Sequence, residues 1–231
     1  MLEEYKYKIE LHAHTKHISR CSEIGNSELV QAYKGAGFDG IVITNHFSTC
    51  GHKTKREYTK YIDSFIKDYH DLKDKGFDYG IKVYLGMEIR FGENDNDYLL
   101  YGIDEDFIKG IKQDTRTLQE FIPYLRQYPD VIIIQAHPFR DRMMLVEPSL
   151  LDGVEVFNLH PHHNPRAGFA AKYAENENMK ICTCGTDFHH RGHQALSALL
   201  TKKMPVDEKE LVCCIRNEQV YKVGKATIIF N

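Results

Sequence analysis

The sequence predicts an α/β fold in which a barrel of strands is surrounded by helices. Apolar, β-rich runs alternate at least five times with stretches of helical periodicity, which is typical of a parallel sheet covered by helices. A chain of 231 residues is long enough for one barrel-sized domain. No Pro/Gly/Ser-rich linker, low-complexity tract or internal repeat divides the sequence. We therefore expect a single domain over residues 1–231.

Eight runs are predicted as strands because they are rich in apolar and β-branched residues. They span residues 7–11, 40–44, 81–85, 98–101, 131–134, 153–157, 180–184 and 226–230. The runs at 40–44 and 131–134 are almost entirely apolar, as expected for strands buried on both faces of a parallel sheet. The count of about six or seven strand–helix units is below the eight that are usual for such a barrel.

Five helices are predicted from apolar positions spaced by three and four residues. The first has Asn26 as its expected N-cap, ends at Gly35 and Gly37, and carries an apolar stripe of Leu29, Val30, Tyr33 and Ala36. The second is expected to stop near Gly76, and its apolar stripe consists of Tyr58, Ile62, Phe65, Tyr69 and Leu72. The remaining three span 115–127, with Pro123 inside, 167–176 and 207–217.

Composition excludes several classes of protein. The net charge is −3 with both signs dispersed, which argues against a long nucleic-acid track. No apolar run approaches the about 20 residues of a membrane span, and no signal-peptide pattern is present. The six cysteines have no C-x-x-C spacing, so we expect small buried side chains in a reducing cytoplasm, with Cys21 as the exception.

Thirteen histidines are scattered through the sequence, and several of them follow predicted strands. His12 and His14 stand two residues apart at a strand end, where residues i and i+2 face the same side of a sheet. Neutral imidazole and carboxylate are the usual ligands of zinc and related divalent ions. Since the carboxyl ends of barrel strands meet at one rim, the sequence predicts a metal cluster there.

The order of these short motifs resembles that of the PHP (polymerase and histidinol phosphatase) superfamily. The motifs are His12-Ala13-His14-Thr15, Ile43-Thr44-Asn45-His46, Gly86-Met87-Glu88, Ala136-His137-Pro138 and Gly185-Thr186-Asp187-Phe188-His189. The resemblance covers essentially the whole chain. It implies a distorted (β/α)7 TIM-like barrel and a metal-dependent phosphoesterase that holds two or three divalent ions, Zn, Mn or Fe, at the C-terminal rim.

The resemblance also implies a ligand set, carried over position by position. His12, His14 and Asp187 would hold a first ion, Glu88 would bridge to a second ion with His137, and His46 and His189 would hold a third. A bridging carboxylate suits two cations about 3.5–4 Å apart.

Three departures from the family pattern leave parts of this set open. The loop ligand expected after Thr15 is Cys21 or His17, or neither, and we favour Cys21 because it follows a serine closely. Asn45 replaces the usual aspartate and weakens an acceptor that supports a ligand. No histidine occurs from residue 89 to residue 136, so the second ion lacks a ligand unless Asp97, Asn158 or His160 supplies one.

Candidate substrate contacts lie near the predicted rim. Arg20, Arg140 and Arg191, together with Asn158, are the candidates for binding a phosphate, and Arg90 and Arg166 lie near rim loops as well. Hydrolysis would use a water activated by the ions held through Glu88. The leaving group would be protonated by His160 or His193, or by a metal-bound water.

These features favour a cytoplasmic hydrolase whose substrate is a small phosphorylated metabolite. The substrate would be a phosphomonoester such as histidinol phosphate, or a nucleotide phosphate; the residues do not distinguish them. A metal-dependent amidohydrolase is an alternative, although no lysine is placed to bridge two ions as a carbamate. A non-catalytic metal-binding or regulatory domain is the third interpretation. The oligomeric state stays open.

Overall fold

The computed structural model describes residues 2–230, in which strands and helices alternate along the chain. The strands are β1 (Tyr7–Ala13), β2 (Gly40–Ile43), β3 (His46–Ser48), β4 (Lys82–Arg90), β5 (Asp97–Tyr101), β6 (Ile132–Gln135), β7 (Gly153–Asn158), β8 (Ile181–Gly185), β9 (Ser197–Thr201), β10 (Val220–Val223) and β11 (Ala226–Ile229). The α-helices are α1 (Asn26–Gly35), α2 (Lys55–Tyr79), α3 (Glu105–Gly110), α4 (Leu118–Leu125), α5 (Ala167–Asn176) and α6 (Glu208–Asn217).

One curled sheet forms the centre of the fold. Its strand order is β11-β10-β9-β1-β2-β4-β5-β6-β7-β8, with β3 paired to β4. The far strand β8 returns towards β1, because Ala13 at the end of β1 forms a parallel bridge with Phe188 just after β8. The sheet therefore curls into a half-barrel, and the carboxyl ends of its parallel strands meet at one rim.

The predicted α/β class is confirmed, but the sheet is mixed rather than parallel as expected. β5 is antiparallel to both β4 and β6, and β9, β10 and β11 extend the other edge in antiparallel pairs. Only residues 91–96 connect β4 to β5, whereas a parallel pair needs a crossover of about a dozen residues or more. The count of seven strand–helix units stays a prediction, and the domain limits at residues 1 and 231 lie outside the described residues.

Two helix boundaries differ from the sequence prediction for identifiable reasons. Gly25, not Asn26, is the N-cap of α1, because the Asn26 amide is used to donate to Asp68 and Asp71. Helix α2 continues past Gly76 and ends at Gly80, which has a left-handed backbone. Position 76 has no room for a side chain, because a Cβ there would lie 2.7 Å from the carbonyl oxygen of Ile81.

Other elements were shorter than predicted or were missed. Helix α4 occupies only part of 115–127 and ends two residues after Pro123, and Ala36 is exposed beyond the end of α1. The predictions did not include β3, β9, β10 or α3, which are all six residues or fewer. Such short elements carry too few residues for a periodic pattern.

Both faces of the sheet are buried in apolar clusters. One cluster includes the buried apolar residues of α1 and α2, with Val30 and Phe65 among its members. The other packs α6 through Leu211 and Ile215 against the opposite face. Two-sided burial explains the continuous apolar strands, and it leaves the polar rim as the place for chemistry. In residues 2–230, no helix combines the length and apolar character that crossing a membrane requires.

Gly102 provides a test of this packing, because its backbone is left-handed (φ 83°) and a Cβ would lie 2.3 Å from the Asp130 carbonyl oxygen. We expect Gly102→Ala to lower the free energy of unfolding by at least about 2 kcal/mol, measured by urea denaturation. The matched control is Gly35→Ala in α1, where a Cβ meets nothing within 4 Å. That variant is expected to be stabilised by up to about 1 kcal/mol. Equal stabilities for the two variants would contradict this account.

Candidate metal centre

The rim of the curled sheet gathers the residues that the sequence motifs single out. His12 lies in β1, Glu88 in β4 and His46 at the start of β3, while His137 follows β6 and Asp187 follows β8. His12, His14, Glu88, His137 and Asp187 are at most 2% exposed. Glu88 is inside its strand rather than beyond it, because β4 extends to Arg90.

The first set of ligand atoms consists of His12, His14 and Asp187, with Glu88 beside them. The Nε2 atoms of His12 and His14 lie 3.5 and 3.4 Å from Oδ1 of Asp187, and 3.4 and 3.3 Å from the Glu88 carboxylate. A tetrahedral ion with bonds of about 2.1 Å places its ligands about 3.4 Å apart. Both Nε2 atoms are buried without a hydrogen-bond partner, so these residues fit a metal ion.

A second set contains His14, His46 and His189. Their rings are close, with centroids 4.5 Å apart for His14 and His46 and 4.2 Å apart for His14 and His189. Nδ1 of His46 lies 2.8 Å from Oε2 of Glu88, so this set adjoins the first one through that carboxylate.

Cys21 stands at the second set, where the sequence left a choice between Cys21 and His17. Burial raises the pKa of the Cys21 thiol, but hydrogen bonds from His189 and His46 lower it to about 6. A thiol that ionises this easily is a good zinc ligand. The ring of His17 instead bonds to Asp68 at 3.0 Å and is half exposed, away from the cluster.

His137 lies on the other side of Glu88. Its Nε2 is 3.1 Å from Oε1 of Glu88 and 3.8 Å from Oδ2 of Asp97. Asp97, one of the three residues that the sequence offers in place of the missing histidine, therefore lies beside His137. Asn158 instead donates to Glu155 and Asp187, at 3.0 and 3.2 Å.

Glu155 is a central residue that the sequence analysis missed. Its Oε1 lies 2.8 Å from Nδ1 of His12, and its Oε2 accepts from the backbone N–H of His137 at 3.0 Å. The bond at Nδ1 turns Nε2 of His12 towards the cluster, which is how carboxylates orient metal-binding imidazoles. The available signal was a lone carboxylate inside the apolar run 153–157.

The electrostatics of the cluster are dominated by buried carboxylates. Burial alone would raise the pKa of Glu88, but the imidazoles of His12 and His46 hold it well below its usual range. Burial also opposes the charge on His12, yet the carboxylates of Glu155 and Asp187 raise its pKa well above normal. The cluster thus attracts positive charge, as a cation site must.

Two residues of the cluster have a strained backbone. His137 has φ 30° and Asp187 has φ 53°, in a region that residues with a Cβ adopt at a cost of about 1–3 kcal/mol. Their hydrogen bonds maintain this conformation: the His137 N–H donates to Glu155, and the Asn158 amide holds Asp187. Strain of this kind is concentrated at functional sites.

The cluster opens into a cavity of about 470 Å3. Its walls are formed by Cys21, His46, Glu88, Arg90, His137, Arg140, His160, His162, His163, Asp187, His189 and His190. Arg140 is 17% exposed, and its Nη1 lies 3.4 Å from Oδ2 of Asp187. The cavity therefore combines acidic ligands with guanidinium groups.

The other residues predicted to contact the substrate do not all lie at this cavity. Arg20 lines a separate depression beside His17 and His52, and Arg191 donates to Glu28 on the surface. His160 lines the cavity, whereas His193 is not among its lining residues.

His160 is held in one tautomer. Its Nδ1 accepts the backbone N–H of His162 at 3.2 Å, so its Nε2 carries the proton. Burial and the neighbouring His189 lower the pKa of His160 to about 4, although Asp187 opposes them. The ring is neutral near pH 7 and presents an N–H donor.

The family profile described as PHP domain matches residues 10–221 of the chain. Among curated proteins, none is significantly similar to the chain in sequence.

Several solved structures share the fold. A two-domain protein from Bacteroides vulgatus ATCC 8482 that contains a predicted PHP-like metal-dependent phosphoesterase aligns with 96% of the chain, at 12% identity and a TM-score of 0.66. The chain spans 66% of the length of that relative. PsfC from Pseudomonas syringae PB-5123 aligns over 83% of this chain and 80% of its own length, at 13% identity and a TM-score of 0.58. An amidohydrolase from Chromobacterium violaceum, with bound sulfate and no metal, aligns over 88% of this chain and 96% of its own length. The identity is 13% and the TM-score is 0.51.

Glu155 provides a test of how the cluster is oriented. We expect Glu155→Gln to weaken Zn²⁺ binding about 10–100-fold, because the buried carboxylate that orients His12 is lost. Affinity is measured by competition with a chromophoric chelator. The matched control is Glu177→Gln on the exposed surface after α5, which should leave the affinity unchanged. An unaltered affinity in a folded Glu155→Gln protein would show that this carboxylate does not position the site.

Proposed function

The chain belongs to the PHP domain family, and from this membership we propose that it is a metal-dependent phosphoesterase. Its substrate is a small phosphoester, either a phosphomonoester such as histidinol phosphate or a nucleotide phosphate. One observation carries the proposal: the guanidinium of Arg140 lies 3.4 Å from Asp187, in the same cavity as the candidate metal ligands. A cation cluster beside a guanidinium is suited to a phosphate.

The ions would be held by residues on both sides of Glu88. His14 is in both sets of ligand atoms but offers one nitrogen, and we assign it to the ion held with His12 and Asp187. His46 and His189 would then hold the second ion with Cys21, which lines the same cavity. Nε2 of His137 lies 3.1 Å from Oε1 of Glu88. Ions bound there would neutralise phosphate charge and lower the pKa of water to supply a nucleophile. Zinc, manganese and iron all accept such ligands.

Arg140 binds the phosphate in this proposal. A planar guanidinium matches two phosphate oxygens with parallel N–H donors. Asp187 and Asp97 lie 3.4 and 3.7 Å from its Nη atoms and fix its direction. Since the side chain is 17% exposed, its remaining donors are available at the cavity.

His160 is assigned to the leaving group as a hydrogen-bond donor. Burial lowers the pKa of His160 to about 4, so its ring is neutral near pH 7, and the proton for the leaving oxygen would come from a water held by the ions. The Nε2–H of His160 is held in place by the bond at Nδ1, and the ring lines the cavity. His193 is the second candidate. Its ring lies 5.3 Å from that of His162, which is part of the cavity wall, but His193 does not line the cavity itself. Arg20 and Arg191 stand farther out and are candidates for contacting the remote part of a substrate.

The size and charge of the site favour a small substrate. A cavity of about 470 Å3 is in the range of pockets for small molecules. The net charge of −3 gives no general attraction for a long polyanion.

The amidohydrolase alternative draws on the Chromobacterium relative. Among residues 2–230, no lysine lines the cavity, so the carbamate bridge of many amidohydrolases has no candidate here. Glu88, which lies beside both candidate ligand sets, would bridge the ions instead. Parallel assays of phosphoesters and amides distinguish the two activities, and a protein that binds ions without turning over either would be the non-catalytic alternative.

We expect the purified protein, supplied with Mn²⁺ or Zn²⁺, to hydrolyse p-nitrophenyl phosphate. Removal of the ions with a chelator should abolish the activity, and adding the metal back should restore it. Asp187→Asn is expected to abolish turnover as well, because a ligand of the first set is lost. Phosphoester hydrolysis that persists without metal, or none on a panel of phosphomonoesters and nucleotides, would refute the proposed function.

Arg140→Gln tests the phosphate contact. Loss of charge-assisted hydrogen bonds worth about 1.5–3 kcal/mol should lower kcat/KM about 10–100-fold. Steady-state kinetics on the same phosphoester measure the effect. The control is Arg56→Gln in α2, where the arginine is exposed, and its kinetics should match those of the unmodified protein. An Arg140 variant with unchanged kcat/KM would assign phosphate binding to other residues.

A further inference from the structure

A third set of ligand atoms lies in the cluster, formed by His46, Glu88 and Asp97, with His137 adjoining it. Asp97 is 1% exposed, and its carboxylate is already engaged. Oδ1 accepts from Nε of Arg90 at 2.7 Å, and Oδ2 accepts from Nη2 of Arg90 at 2.5 Å. Nη2 of Arg140 approaches the same Oδ2 at 3.7 Å.

The pairing of Arg90 with Asp97 is built into the backbone. The two residues stand directly opposite each other in the antiparallel pair of β4 and β5, at the start of the turn that joins these strands. Cross-strand neighbours of this kind are held together by the sheet register. The guanidinium is therefore delivered to Asp97 by the same strand that carries Glu88.

A metal ion at Asp97 would have to replace this guanidinium. Both carboxylate oxygens already accept a bidentate, charge-assisted pair of hydrogen bonds, the strongest kind that arginine makes. The hydrogen bonds and charge of Asp97 raise the pKa of Arg90 further, so the guanidinium stays charged at any ordinary pH. In the first set, by contrast, Nε2 of His12 and Nε2 of His14 are buried without a hydrogen-bond partner.

We propose that the guanidinium of Arg90 takes the place of one metal ion, so that the centre holds two ions rather than three. The two ions occupy the His12–His14–Asp187 set and the set of His46, His189 and Cys21, with Glu88 between them. On the third side, Arg90 supplies the positive charge, and His137 is a hydrogen-bond partner of Glu88. This inference rests on the proposed function, because it assumes that the site binds ions.

Metal content tests the proposal without relying on activity. The purified protein is stripped of metal, equilibrated by dialysis against Zn²⁺ and, in parallel, Mn²⁺, and its ions per chain are measured by mass spectrometry. We expect two ions per chain. Arg90→Gln should gain a third ion, because removal of the guanidinium frees Asp97 and His137 as ligands.

Two further variants assign that third ion to Asp97. Asp97→Asn alone should still hold two ions, since Asp97 ligates neither of them. The double variant Arg90→Gln with Asp97→Asn should return to two. The matched control is Arg142→Gln, which removes an exposed arginine paired with Asp95 and should leave the count at two. Circular dichroism and thermal melting confirm that each variant is folded.

The outcomes separate this inference from the proposed function. Three ions in the unmodified protein, or loss of an ion in Asp97→Asn, would overturn the inference and leave a metal-dependent phosphoesterase standing. A folded Arg90→Gln protein that stays at two ions would also overturn it. If Arg90→Gln does not fold, the counts for the unmodified protein and Asp97→Asn decide. An unmodified protein that binds no ion would overturn both.

Discussion

The carboxylate of Glu88 is the contact around which the rim is organised. Oε1 lies within 3.4 Å of His12 and 3.1 Å of His137, and Oε2 within 3.3 Å of His14 and 2.8 Å of His46. The group is 1% exposed, and a buried carboxylate is costly unless positive charge compensates it. Asp187, Glu155 and Asp97 add further buried carboxylates nearby. The rim therefore needs positive charge to compensate these buried carboxylates.

The fold meets this requirement through strand register. Parallel pairing places His46 of β3 opposite Glu88 of β4, while the antiparallel return of β5 places Asp97 opposite Arg90. One strand thus presents a carboxylate to the imidazoles and, two residues later, a guanidinium to a neighbouring carboxylate. The reversal of β5, which departs from a regular parallel barrel, is what brings the carboxylate of Asp97 opposite this guanidinium.

The cluster also concentrates features that oppose folding. His137 and Asp187 have left-handed backbones, and the Nε2 atoms of His12 and His14 are buried without hydrogen-bond partners. Each feature costs free energy when no ion is bound. The apolar clusters on both faces of the sheet supply stabilising free energy that offsets these costs. Ions that bind only the folded state would add to that stability by mass action.

Much of this protein was determined by local sequence. Apolar runs and helical stripes predicted the α/β class and most strands, because burial imposes a period on a chain segment by itself. The ordered motifs likewise identified the imidazoles and carboxylates that meet at the rim. Tertiary structure alone decided that Cys21 and not His17 faces the cluster, that Glu155 orients His12, and that Arg90 is paired with Asp97. These contacts depend on loop paths, on buried hydrogen bonds and on the reversed pairing of β5, and a local pattern does not specify which distant residues are brought within reach of one another.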